Sequence, residues 1–425
     1  MSDIDALILR RQMVLGRNSP LFYDRPLHLV RGEGAWVYDA TGRAYLDVYN
    51  NVPCVGHCHP HVVDAIARQT ATLNLHTRYL DETLIAYAER LTGLFADPLD
   101  SVMLTCSGTE ANELALRLAR FITGGQGIIV SDLSYHGNST ILASLASAFP
   151  GGELFPSFAR AVRVPDPVHD RQGRTDAELA AAFAAQVQAA VDSLKADGIQ
   201  VAALLMDSFF ANEGLPDPVS GYVEQSVEIV RKAGGLFICD EVQSGFARTG
   251  DAMWGHQLTG VTPDIVTLGK PMGNGYPVAG MVTRRDWVDR FGAASRYFNT
   301  FAGNPVAAAA GMAVLSVIER EDIQANSRRV GAHVRAGLQA LSAKHPIIAN
   351  VRGRGLFFGA ELIRPDGSPA DVETKQLINR MRDNGVLISR AGRNSNILKM
   401  RPPLVFSTDN ADHLLSVMDD ALAAL

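Results

Sequence analysis

Between residues 51 and 305, short and wholly apolar runs alternate with helical stretches. The runs are GIIVSD, VAALLMD, GLFICDE and DIVTLG, and ANELALRLARFI is representative of what separates them. A strand that is apolar on both faces must be covered on both, and strand-helix-strand units supply that cover. The pattern predicts an α/β fold with a mostly parallel sheet between helices. Upstream, AWVYDATGRAYLDV sets Thr41 and Gly42 between two strand-like runs, which predicts a hairpin. After 305 the pattern changes to Ala-rich helices, VAAAAGMAVLSVIER and RVGAHVRAGLQALSA, and then to the strand-like LFFGAELI and NILKMRPPLV. The expected organisation is a large domain over 51–305 and a smaller α+β domain over 306–425, to which the N-terminal segment 1–50 contributes. The Ala-rich stretch from Asp176 to Ala196 reads as a surface helix, not a tether.

At 425 residues the chain can bury a large core, and 47% hydrophobic with 20% charged residues is an ordinary globular composition. A net charge of -6 without a basic run argues against a nucleic-acid partner. No apolar run reaches the length of a membrane span, and MSDIDALILRRQMVLG places its charges in the reverse order of a secretory signal. A cytoplasmic protein with no membrane partner is expected, with Cys54, Cys58, Cys106 and Cys239 as reduced thiols.

The stretch PDIVTLGKPMGNGYPVAG sets one amine, Lys270, at the end of an apolar run. It is not a phosphate-cradling P-loop, because Asp264 stands where that loop needs glycine and Pro271 where it needs Ser or Thr. Buried at a strand end, an amine loses hydration, its pKa falls, and it can condense with a carbonyl. One strand-helix-strand unit upstream, GLFICDE delivers Asp240 and Glu241 at another strand end, where ligands of open α/β sheets bind. In LTCSGTEANELALRLAR, Ser107, Gly108 and Thr109 precede a helix, so free N–H groups and hydroxyls meet at its positive end, which suits a phosphate or a plain N-cap. In SYHGNS, Tyr135 or His136 can stack on a planar ring. An amine, an acid, a phosphate seat and an aromatic cover together fit pyridoxal phosphate.

With these stretches the chain resembles the class III aminotransferases, fold-type I pyridoxal-phosphate enzymes, over nearly its whole length. The matching segments are YLDVYNNVPCVGHCHPHVV, SGTEANELALRLAR, YHG, DEVQSGFARTG, PDIVTLGKPMGNGYPVAG and NTFAGNP. The resemblance implies that Lys270 holds the cofactor as a Schiff base and shuttles a proton, while Asp240 keeps the ring nitrogen protonated. It further implies that Gly108 and Thr109 bind the phosphate, that Tyr135 covers one ring face and Val242 the other, and that Gln243 bonds the ring hydroxyl. Thr300 would reach the phosphate from the second subunit of a homodimer. In GHCHPH, the side chains of His57, Cys58, His59 and His61 are suitable metal ligands, but Pro60 opens a helix there and no metal is expected. His169 and Asp170 lie in a polar loop and are expected to meet only solvent.

Two positions depart from the family pattern. Many members bind a substrate carboxylate with an arginine three residues before a Pro-Pro pair, and pair it with a glutamate in a QGEGG stretch. Here those positions hold Lys399 and Asn212. Lysine lacks the bidentate fork of arginine, so it copies a carboxylate clamp poorly. One branch of the family, the amine:pyruvate transaminases, uses an arginine in an L-I-x-R stretch, which LISR matches at Arg390. Another, the phospho-lyases of phosphoethanolamine or phosphohydroxylysine, shares NNV-x-x-VGHCHP, GKPMGNG and N-x-LK-x-(K/R)-PP, and a lysine suits their phosphate. Arg390 leads the expectation to a transaminase that passes an amino group from a primary amine or amino acid to an oxo acid such as pyruvate, with the phospho-lyase as its rival.

Overall fold

The computed structural model describes residues 3–146, 153–217 and 219–425. Strands β1 (Leu29–Glu33), β2 (Trp36–Asp39) and β3 (Ala44–Asp47) form an antiparallel meander. The β2–β3 turn is the hairpin read from the sequence: Asp39 Oδ1 accepts from Thr41 N at 2.9 Å and Arg43 N at 3.1 Å, and Gly42 takes φ +89°.

The central sheet contains β4 (Ser101–Thr105), β5 (Gly127–Ser131), β6 (Ala159–Val162), β7 (Val201–Asp207), β8 (Leu236–Asp240), β9 (Ile265–Leu268) and β10 (Ala279–Thr283). Their order is β4-β10-β9-β8-β7-β5-β6. The neighbours from β9 through β6 run parallel, whereas β10 is antiparallel to both β9 and β4. The short link from β9 to β10, which carries Lys270, is too brief for a parallel crossover, so the chain reverses there. Alternation along each strand divides the core into two layers. Ile128 and Val130 of β5 pack on the helix Gly108–Thr123. Ile129, between them, faces the helices Asp176–Ala196 and Tyr222–Lys232. The Ala-rich helix is therefore a covering layer, with Phe183, Val187 and Leu194 buried against the sheet.

The C-terminal sheet has the antiparallel order β11 (Ile348–Arg354), β12 (Phe357–Leu362), β15 (Ile397–Met400), β14 (Ser389–Ala391). Between β12 and β14, the short β13 (Val386–Leu387) leaves this sheet to pair in parallel with β3. On that pairing we propose that residues 1–50 and 306–425 act as one small domain against a body of 51–305. Helix Pro305–Arg320 lies across that division, since it packs on helices Pro60–Thr72 and Glu82–Thr92. Among the described residues, no helix is long and apolar enough to cross a membrane.

Candidate active site

The carboxyl ends of β7, β8 and β9 bring three polar groups together. Asp207 and Asp240 are register neighbours, and Lys270 follows β9 by two residues. Lys270, Asp207 and Asp240 line one cavity together with the start of helix Gly108–Thr123 and with Tyr135. Burial pushes the Lys270 ammonium pKa down, and the positive charge of Arg401 adds to this, against partial opposition from Asp240 and Asp207. The amine is thus disposed to be neutral and nucleophilic. Burial alone would raise the Asp240 carboxyl. The hydrogen bond and charge of His136 outweigh it, helped by Val242 N–H and Asn112, so the group sits below its ordinary value. His136 Nδ1 lies 2.7 Å from Asp240 Oδ2, Asn112 Nδ2 donates to the same oxygen at 2.9 Å, and Val242 N donates to Oδ1 at 2.9 Å. A carboxylate kept ionised in this way can hold a proton on a pyridine nitrogen.

Both aromatics in SYHGNS line the cavity: His136 is buried with its ring against Asp240, and Tyr135 is the more exposed aromatic wall. Val242 is buried on the cavity lining. Ser107 is the N-cap of the helix, its Oγ accepting from Glu110 N at 3.2 Å. Gly108 and Thr109 line the cavity and belong to the first turn, whose backbone N–H groups have no partner within the helix. The backbone there is crowded: a Cβ on Gly108 would approach Val242 Cγ2 to 3.0 Å, and one on Gly137, at φ +146°, would meet Thr109 Oγ1 at 2.7 Å. Such glycines make a cradle that a side chain would fill, so the residues fit a phosphate-bearing cofactor.

Other side chains named in the sequence lie elsewhere. Glu241 faces away from the cavity, accepting from Ser244 Oγ at 2.6 Å, Gly255 N at 2.8 Å and His256 N at 2.6 Å. His57 and His59 do not converge, because His57 Nε2 is 2.7 Å from Asp47 Oδ2 and His59 Nε2 is 3.0 Å from Glu321 Oε1. The solvent reading of His169 and Asp170 is corrected: His169 Nε2 lies 2.9 Å from buried Glu361, and Asp170 takes Arg163 at 2.9 Å and Asp166 N at 2.7 Å. Each has a charged partner, Glu361 far off in sequence or Arg163 seven residues away, while His169 itself stays exposed.

Lys399 is buried, and its Nζ donates to Asn212 Oδ1 at 3.0 Å. The two departures from the family pattern therefore touch. Burial pushes the Lys399 amine well below its ordinary value, as do the like charges of Arg401 and Lys270. Arg390 is elsewhere. Ser389 lies opposite Lys399 and Arg390 opposite Leu398, so period-two alternation turns Arg390 to the other sheet face. Its guanidinium donates to the carbonyls of Asp371 at 3.1 Å and Ser395 at 3.4 Å and does not line the cavity. In this single chain Arg390 and Lys399 therefore lie on opposite faces of the small sheet. Thr300 sits in an exposed loop, away from its own chain's cavity lining.

Two residues of this region were missed in the sequence. Asp207 ends β7 as Asp240 ends β8, and VAALLMD carried that signal. Burial, then the charges of Glu213 and Asp240, push its carboxyl up to about 7. Arg401 is two residues beyond Lys399, on the same side of an extended chain, and its guanidinium reaches Gln243 Oε1 and the Tyr49 carbonyl.

The family model for class III aminotransferases matches residues 22–422. The chain belongs to that family. A phospholyase from Arthrobacter, solved in complex with phosphoethanolamine, superposes with a TM-score of 0.97 at 49% identity, covering 99% of this chain and 100% of that one. An alanine–glyoxylate aminotransferase 2-like protein of Drosophila melanogaster is 38% identical, covering 100% of this chain and 88% of the relative. An ethanolamine-phosphate phospho-lyase homolog of Caenorhabditis elegans is 34% identical, covering 99% and 94%. The protein is thus a class III enzyme of the fold-type I architecture, and its cofactor is pyridoxal phosphate.

Proposed function

We propose that this class III enzyme eliminates phosphate and ammonia from an O-phosphorylated amino alcohol. The observation that carries the reading is the buried Lys399 amine at the position of a carboxylate-binding arginine, with the Arg401 guanidinium on the same side of the strand. A buried amine beside a guanidinium, neither ion-paired with a carboxylate among the described residues, suits a phosphate dianion better than a single carboxylate, because the dianion would favour the charged amine. The similarity to the Arthrobacter phospholyase supports the same choice.

Bound in the cavity, pyridoxal phosphate would supply the electron sink for the amine-bearing carbon. Lys270 would take the proton from that carbon, and Asp240 would hold the ring-nitrogen proton. Lys399 and Arg401 would bind the substrate phosphate and accept its growing charge as the C–O bond breaks, the electron pair leaving with phosphate. Water then replaces nitrogen on the remaining two-carbon fragment, giving an aldehyde and ammonia. Gly108, Thr109 and Val242 would seat the cofactor with Tyr135 over its ring. Thr300 would complete the phosphate seat of a second chain in a homodimer.

The test is incubation of cofactor-loaded protein with phosphoethanolamine alone, with phosphate, ammonia and acetaldehyde assayed. Release of all three without an oxo acid is expected. If none is released, and a primary amine with pyruvate yields alanine, the enzyme is a transaminase and the proposal is wrong.

A further inference from the structure

Arg401 is buried, yet among the described residues no carboxylate is ion-paired with it. Its Nε donates to the Tyr49 carbonyl at 3.0 Å, its guanidinium carbon stands 4.6 Å from the centre of the Tyr49 ring, and a further N–H donates to Gln243 Oε1. The backbone N of Arg401 donates to Val48 O at 2.9 Å, so the chain on both sides of the contact is fixed. A guanidinium has no acceptor atom, and the amide end it touches must be the oxygen. The Nε2 end of Gln243 is then left for the cavity, which Gln243 lines.

We propose that Arg401 is a positioning residue that orients the Gln243 amide so that an N–H, and not a carbonyl, meets the cofactor's ring oxygen. This rests on the reading that Gln243 faces that oxygen. A donor favours the deprotonated oxygen, and the adjoining guanidinium polarises the amide and strengthens the bond. The device is carried by the arginine directly before the Pro-Pro pair in LKMRPP.

The test is a pH titration of the visible absorbance of cofactor-loaded protein, which follows the proton shared near the ring oxygen. Arg401→Met should raise the midpoint by about one pH unit, a tenfold change in that proton equilibrium. Arg401→Lys, which keeps a charge and a donor, should return it towards the wild-type value. In a Gln243→Leu background the Arg401→Met shift should vanish. A midpoint unmoved by Arg401→Met but moved by Gln243→Leu overturns the proposal, and so does an equal shift in both backgrounds, which would mean bare charge acting through space. If Gln243→Leu leaves the midpoint unchanged, the reading of Gln243 fails and the proposal falls with it. Should Arg401→Met not retain the cofactor, Arg401→Gln takes its place, with a smaller rise expected and an unmoved midpoint again decisive against it.

Discussion

Burial and the positive charge of Arg401 both lower the Lys270 pKa, which favours the neutral form that a Schiff-base amine would need. Lys270→Ala should abolish the visible absorbance of the loaded protein and lower turnover by about 10³-fold or more, and retained turnover would refute its role. Lys399 is a second buried amine with a different task. If it binds the substrate phosphate, Lys399→Met should raise KM for phosphoethanolamine by roughly 10- to 100-fold, the worth of a hydrogen bond to a charged group. Lys399→Arg should recover most of that loss, and an unchanged KM in the Met variant would remove Lys399 from the site. Asp207 gives a pH prediction. Its folded carboxyl titrates at about 7, above the ~3.9 of an unfolded aspartate. A carboxyl raised on folding stabilises the fold below the unfolded value, and this contribution is lost as pH rises from about 4 to about 7. Asp207→Asn should therefore gain stability relative to wild type between about pH 5 and about pH 8, read from urea midpoints. A difference that is the same at both pH values sinks the assignment.

Strands and their ends were legible in the sequence because period and composition are local properties. VAALLMD and GLFICDE announced buried parallel strands, and their terminal acids lie side by side. Register was not legible. LISR and LKMR look equally able to reach a substrate, but one residue of offset between β14 and β15 places Lys399 on one face and Arg390 on the other. The helix start was legible too, since SGTEAN offered a cap and free N–H groups, and Ser107 caps the helix. At the level of elements, the loop after Tyr135 must come within van der Waals distance of this helix start. Gly137→Ala places a methyl 2.7 Å from Thr109 Oγ1, on a backbone at φ +146°. Weaker cofactor binding, by about tenfold or more in equilibrium dialysis, is expected, since strain of this kind costs of order 1–3 kcal/mol. Unchanged affinity would mean that the loop and the helix start do not form the phosphate seat.

A single chain leaves apolar side chains exposed: Phe301 is 71% exposed, Phe298 38%, and Met13 and Val14 in helix Asp3–Leu15 86% and 79%. Patches of this kind mark association surfaces, and Phe298 and Phe301 flank Thr300. The resemblance supplied a reason that composition could not, since a site built from two chains leaves no period or charge run in either. If Thr300 completes the phosphate seat of its partner, the two functions can be separated onto different subunits. Lys270→Ala destroys the amine of its own chain's site, and Thr300→Glu sets a carboxylate against the phosphate of the other. Each homodimer should be nearly inactive. Dissociated and reassociated one to one, half of the dimers would be mixed, and each of these would contain one site with both residues intact. Activity should then recover to about a quarter of the wild-type value per chain, as statistical pairing of a two-fold dimer requires. No recovery on mixing, with exchange of subunits verified by mass, would place Thr300 outside the partner's site.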